Sequence, residues 1–230
     1  MKKPSKFEAA YDALVRIGSR PINDEAKIEL KYALEGNISL LVAKAAQIVG
    51  NKGLIELIPD MITAFNRFMI DGARVDKLCN AKAAIVDALN NIEYMGGAVF
   101  LAGAQYIQME PAFGGPVDTA IGLRCNCALG LARIEHPDAH YILADLLVDK
   151  ENAVRNAAVK AITYLGSTES ELLLRLKVLT GDSEPDVLNN CFAGLMTISP
   201  ERSLDFVARY LQSTNASVVE SAALAIGGSR

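Results

Sequence analysis

The chain has no tryptophan, two histidines and four cysteines in 230 residues, and only 6% of its side chains are aromatic. Each shortage removes a class of function. An enzyme that flips a nucleobase needs aromatic walls and a basic face, but here 27 acidic residues outnumber 23 basic ones, for a formal charge of −4. That sign also opposes affinity built on neutralising phosphates, so nucleic acid is not an expected partner. Cys79, Cys125, Cys127 and Cys191 are too few for a disulfide framework in a chain this long, and they suit a reducing compartment. The N-terminus interleaves Lys2, Lys3, Lys6, Glu8 and Asp12 without an uninterrupted apolar run. Neither a signal peptide nor a membrane span is expected there, and the expected location is the cytoplasm.

Catalytic and metal-binding sets are equally sparse. His136 and His140 are one helical turn apart, but Pro137 lies between them, so the first is expected to end one helix and the second to belong to the next. Cys125 and Cys127, two apart on a helix, point ~200° away from each other and do not chelate. Gly114-Gly115 and Gly227-Gly228 lack the strand, the lysine and the hydroxyl of a phosphate-binding loop. No metal, cofactor or catalytic residue is therefore expected.

What the chain does have is a recurring phrase, clearest as VRNAAVKAITYLG from Val154 to Gly166. A branched residue opens it, and buried-type residues follow four, seven, eight and eleven positions on, which form one stripe at about 100° per residue. The phrase begins at Ile38, Leu78, Leu123, Val154, Val187 and Val218, at spacings of 40, 45, 31, 33 and 31 residues. Such periods are the mark of a solenoid. Position four holds Val42, Lys82, Cys127, Ala158, Cys191 and Ala222. Position seven holds the mostly small Ala45, Ile85, Gly130, Ala161, Gly194 and Ala225, as expected where helix backbones approach closely. Lys82 is the misfit, and it leaves the register of the second copy uncertain by about one residue.

Each phrase follows another amphipathic stretch: Asn23 to Leu34, Leu54 to Met69, Ala98 to Ile107, Ala139 to Leu147, Glu169 to Leu179 and Leu204 to Leu211. The prediction is an all-α chain in one domain, 1–230: a capping helix near 6–17, then six helical hairpins near 23–50, 54–90, 98–135, 138–166, 169–199 and 203–227. Asp149, Asp182 and Asn215 stand in turns where N-capping oxygens are wanted. No segment reads as a strand.

The pattern Asp149-x4-Val154-Arg155-x2-Ala158-x2-Ala161-Ile162-x2-Leu165-Gly166 resembles the HEAT repeat, particularly the short bacterial variety also found in phycobilin lyase subunits. The resemblance implies a right-handed α-α superhelix. It also implies a ladder of turn aspartates and helix-initial arginines, matched here by Asp149, Arg155 and Asp182, with Arg124 lacking an obvious partner.

That architecture mostly serves recognition through a concave face. Positions opposite the buried stripe include Cys125, Leu129 and Ala132, with Ala193 and Met196, an unusually apolar set that reads either as a docking groove or as a surface packed by an inserted loop. Lys160 shares that face. The loop from Gln108 to Val117, with Met109 and Phe113, either packs down on the solenoid edge or forms a partner-binding wall. Asn80, Asn156 and Asn189 share the second position, where they either cap helices or line up amides for a peptide backbone. The leading expectation is a noncatalytic scaffold for a protein or peptide, with a second copy or further chain covering the last repeat. A phycobilin lyase-like chromophore attachment subunit is the alternative, followed by a HEAT-like nucleic-acid enzyme.

Overall fold

The computed structural model describes residues 5–228. They form fourteen α-helices: α1 (Lys6–Gly18), α2 (Asp24–Glu35), α3 (Ser39–Lys52), α4 (Ile58–Met69), α5 (Gly72–Val75), α6 (Asn80–Asn91), α7 (Ala98–Ala104), α8 (Ile121–Arg133), α9 (Ala139–Leu146), α10 (Asn152–Leu165), α11 (Thr168–Thr180), α12 (Pro185–Ile198), α13 (Pro200–Ala208) and α14 (Ala216–Gly228). The fold class is all-α. One antiparallel hairpin, β1 (Met109–Glu110) with β2 (Val117–Asp118), interrupts the helices. It corrects the strand-free reading: strands of two residues are too short for alternation to register in sequence. The chain forms two compact units, Met1–Asn126 and Cys127–Arg230.

Local chemistry explains where the helices begin and end. Ser5 and Glu8 close a capping box on α1, and Asn23 Oδ1 accepts from the Ala26 amide at the start of α2. Asn215 caps α14 as expected, its Oδ1 accepting the Ser217 amide at 3.0 Å. Asp149 and Asp182 do not N-cap: each accepts the amide two residues on, at Glu151 and Glu184, and so builds the turn before the helix.

In the first unit α3 packs on α6, α1 and α2, and α4 packs on α2 and α6. The buried face of α4 consists of Met61, Ala64, Phe65 and Phe68. In the second unit α12 is surrounded by α10, α11, α13 and α14. Every residue at positions four and seven of the phrase is buried in all six copies. The opening residue is less regular: Leu123, Val154 and Val187 are buried, whereas Ile38 and Leu78 are exposed and Val218 is half-buried. Leu165, expected in the core, is half-buried at the last residue of α10.

Arg155 joins two turns of the second unit. Its Nε and Nη2 donate to Asp182 at 2.8 Å each, Nη1 reaches the carbonyls of Asp149 and Lys150, and Lys177 Nζ meets Asp182 at 2.7 Å. Burial pushes the Asp182 carboxyl up, but the donors from Arg155, Lys177 and the Glu184 amide outweigh it and hold the group at about 2. A folded-state value below the ordinary 3.8 means that the carboxylate stabilises the fold at higher pH. This contribution, about 2 kcal/mol, is expected to fade as pH falls from about 4 to 2. Melting of Asp182→Asn should show a correspondingly shallower acid dependence.

Candidate functional site

The predicted site residues divide once placed. Leu129 and Lys160 are exposed, and Asn80, Cys125, Asn156 and Asn189 are half-buried. Ala132 and Met196 are buried, which corrects their assignment to an open apolar floor. The left-handed turn at Glu135 folds the chain back after α8, with the His136 amide on the Leu131 carbonyl, while the four helices around α12 leave Met196 little free face.

The amides do not form an open row either. Asn80 Nδ2 donates back to the Lys77 carbonyl at 2.9 Å within the preceding turn, and Asn156 Oδ1 accepts from Asn190 Nδ2 at 2.8 Å between α10 and α12. Arg124, which lacked a partner in sequence, meets Asp118 at 2.6 Å and the Tyr106 carbonyl at 3.0 Å.

The most unusual chemistry lies in the first unit, beneath the hairpin. Lys82 and Asp76 are both 0% exposed and meet at 2.9 Å. The other contacts of the Lys82 ammonium are the Phe68 carbonyl at 3.2 Å and the face of Tyr106 at 5.1 Å. The Asp76 carboxylate also accepts the amides of Ala81 and Lys82, at 2.8 and 3.1 Å. A lysine at a helix position built for small residues is thus accommodated by satisfying it in every direction.

Gln108 and Glu110 extend this network into the hairpin. Gln108 Nε2 donates to the Asp76 carbonyl at 2.8 Å and to Glu110 Oε1 at 2.7 Å; the same oxygen accepts from Thr119 Oγ1 and the Leu78 amide, each at 2.7 Å. Burial raises the Glu110 carboxyl, but these donors, helped by nearby Lys77, hold it below its ordinary value. Asp118, also opposed by burial, is likewise held down by the Ala120 amide, Arg124 and the Gln108 amide. Both carboxylates grip more tightly when ionised, so the hairpin is held best above about pH 4.

Backbone strain concentrates at the same place. Asp71, Leu78 and Cys79 have φ of 54°, 59° and 55°, in the left-handed region that side chains disfavour. At Gly72 the space is filled by the ends of this network: a Cβ would fall on Tyr106 Oη, 2.7 Å from Gln108 Oε1 and 2.8 Å from Lys82 Nζ, so these side chains would have to shift. Strain of this kind persists only where surrounding bonds over-determine it.

The network holds the base of the hairpin and leaves its tip exposed. Gln108 and Glu110 turn inward while Ile107 and Met109 stand exposed, and Phe113 at the tip is fully exposed. The reading in which this loop packs down is therefore corrected. The two prolines and two glycines of 111–116 mark the turn in sequence, but nothing there shows that residues 76, 82, 108, 110 and 119 converge beneath it.

A second polar cluster lies in the other unit. His140 Nε2 contacts the hydroxyls of Ser167 at 3.1 Å and Ser170 at 3.0 Å, and Ser167 caps α11. The Glu169 carboxyl is held below its ordinary value chiefly by its own backbone amide, then by Ser167. With a carboxylate already at this helix start, the cluster acts as a cap and not as an anion or oxyanion site. His136 Nδ1 instead accepts the Asp138 amide at 3.1 Å. Among the described residues no group of three His, Cys, Asp or Glu side chains is arranged for a metal, and no helix is long and apolar enough to cross a membrane.

Cys79, Cys127 and Cys191 are buried, and Cys125 is half-buried. Burial pushes the Cys79 and Cys191 thiols up to about 12. Native alkylation is expected to modify Cys125 first, read by mass spectrometry of peptides. Equal labelling of Cys191 would contradict the packing of α12.

No protein-family model matches this chain, and no curated protein matches it.

Proposed function

We propose that the chain is a HEAT-like solenoid of about six helical hairpins that acts as a noncatalytic scaffold for a protein or peptide. The buried fourth and seventh positions of all six second helices and the Arg155–Asp182 link support the repeat reading. The observation that carries the binding function is the braced hairpin. A buried ion pair and two inward-turned polar side chains brace the base of a hairpin whose tip presents an exposed aromatic, a side-chain type enriched in protein interfaces. Leu129, Lys160 and the half-buried Asn80, Cys125, Asn156 and Asn189 remain candidate contacts; Phe113 is the principal one.

A photo-crosslinking residue at position 113 tests this reading in extract from the source organism. The expected result is a protein adduct that excess unlabelled protein suppresses and its Phe113→Ala variant does not. Adducts that both competitors suppress equally, or no protein adduct, would contradict it.

A further inference from the structure

The first unit also carries a cleft with a largely apolar lining. It has a volume of 810 Å³ and opens between α1, α2 and the start of α3, lined by Ala10, Ala13, Ile28, Tyr32, Ala33 and Ile38. Its size lies in the range of roughly 300–1,000 Å³ typical of sites that enclose a ligand. Small residues form its walls, while Ile28 and Tyr32 are 68% and 79% exposed beside it. The charges that line it are Glu29 and Glu35, both acidic and both exposed.

An occupant must therefore offer an apolar tip without acidic charge, and a basic group beside it suits the acidic rim. The hairpin meets each condition. Its tip, Pro111-Ala112-Phe113-Gly114-Gly115-Pro116, has no charge at all. The acidic groups at its base, Glu110 and Asp118, are turned inward and bonded. Lys77, exposed, sits close enough to Glu110 to lower its carboxyl. A chain with a net charge of −4 opposes self-association in general, so a neutral tip with a lysine at its base is the part suited to approach an acidic rim.

We propose that the partner of the hairpin is a second copy of this chain, with Phe113 of one copy seated in the α1–α2 cleft of the other. This rests on the hairpin being a binding element and names what it binds. The contact is heterologous: tip and cleft are different surfaces, so two copies close a dimer if both contacts form together and otherwise extend as a chain.

Sedimentation equilibrium with two variants, each altered at one surface, tests the proposal. Phe113→Ser loses the tip and keeps the cleft; Ile28→Glu keeps the tip and adds charge to an exposed helix position in the cleft. Wild-type protein is expected to associate with rising concentration. Each variant alone should associate at least about thirty-fold more weakly, the loss expected for a central anchor. An equimolar mixture should recover a one-to-one pair, because the first variant supplies the cleft and the second the tip. Wild-type protein that stays monomeric, or a mixture that stays monomeric, overturns the proposal, as does association insensitive to either change. A competed crosslink from position 113 to a different protein would then leave the binding role of the hairpin standing and remove only the self-docking.

Discussion

Replacing Lys82 with methionine is expected to destabilise the first unit by about 3–5 kcal/mol, because Asp76 is left buried without its cation. Asp76 has 0% exposure and keeps only the amides of Ala81 and Lys82 as donors. Asp76→Leu should be comparably damaging, since it leaves the ammonium with the Phe68 carbonyl and the Tyr106 face. Combining Lys82→Met with Asp76→Leu removes both charges, and the pair should cost less than the sum of the single changes. The recovery will be partial, as the amides that Asp76 serves lose their acceptor. Hydrogen exchange in α6, with thermal melting, measures each corner of the cycle. Additive effects would show that the two side chains are not coupled as the 2.9 Å contact requires.

Ala158→Asp should unfold the second unit, at a cost of at least about 4 kcal/mol. Ala158 is 0% exposed on α10, which packs against α12. The cation one turn away on the same face of the helix, Arg155, is already bidentate to Asp182 and cannot turn to a new carboxylate without breaking that link. The packing here has no slack: a Cβ added to Gly194 of α12 would meet Thr163 Oγ1 of α10 and come within 2.8 Å of Leu174 Cδ1 of α11. Lys160→Ala, two residues away on the exposed side, is the control and should stay within about 0.5 kcal/mol of wild type. Melting of Ala158→Asp that matches wild type would show that α10 presents a different face.

Much of the helical layout was legible because it rests on local periodicity. Asn23 announces α2, and α9 begins at Ala139 where the apolar pattern resumes after Pro137. The stripe from Val154 to Ile162 is buried as its spacing requires. The errors lie at particular residues. The spacing places Leu78 at the opening of the second phrase, yet the chain enters a left-handed turn there and turns Cys79 inward instead. Ala132 and Met196 lie opposite their own helical stripes, but neighbouring chain covers them. A helical wheel describes one helix, and burial at its ends depends on the segments that follow.

The sequence by itself determined that this is an all-α chain, which helix faces are buried, and that an irregular segment with two prolines and two glycines interrupts the third predicted hairpin. Each follows from spacing over a few residues, where side-chain direction is set by the backbone's own period. Only the tertiary structure decided that Lys82, the apparent flaw in the repeat, is the base of the site. Its partners Asp76, Phe68 and Tyr106, and Gln108 and Glu110, which join the network through Asp76, lie 6 to 28 residues away, on a turn, a helix, a loop and a strand whose convergence no local pattern encodes. A buried ammonium is unfavourable in isolation and acceptable only when every donor is met, so its role becomes visible when those partners are in place around it.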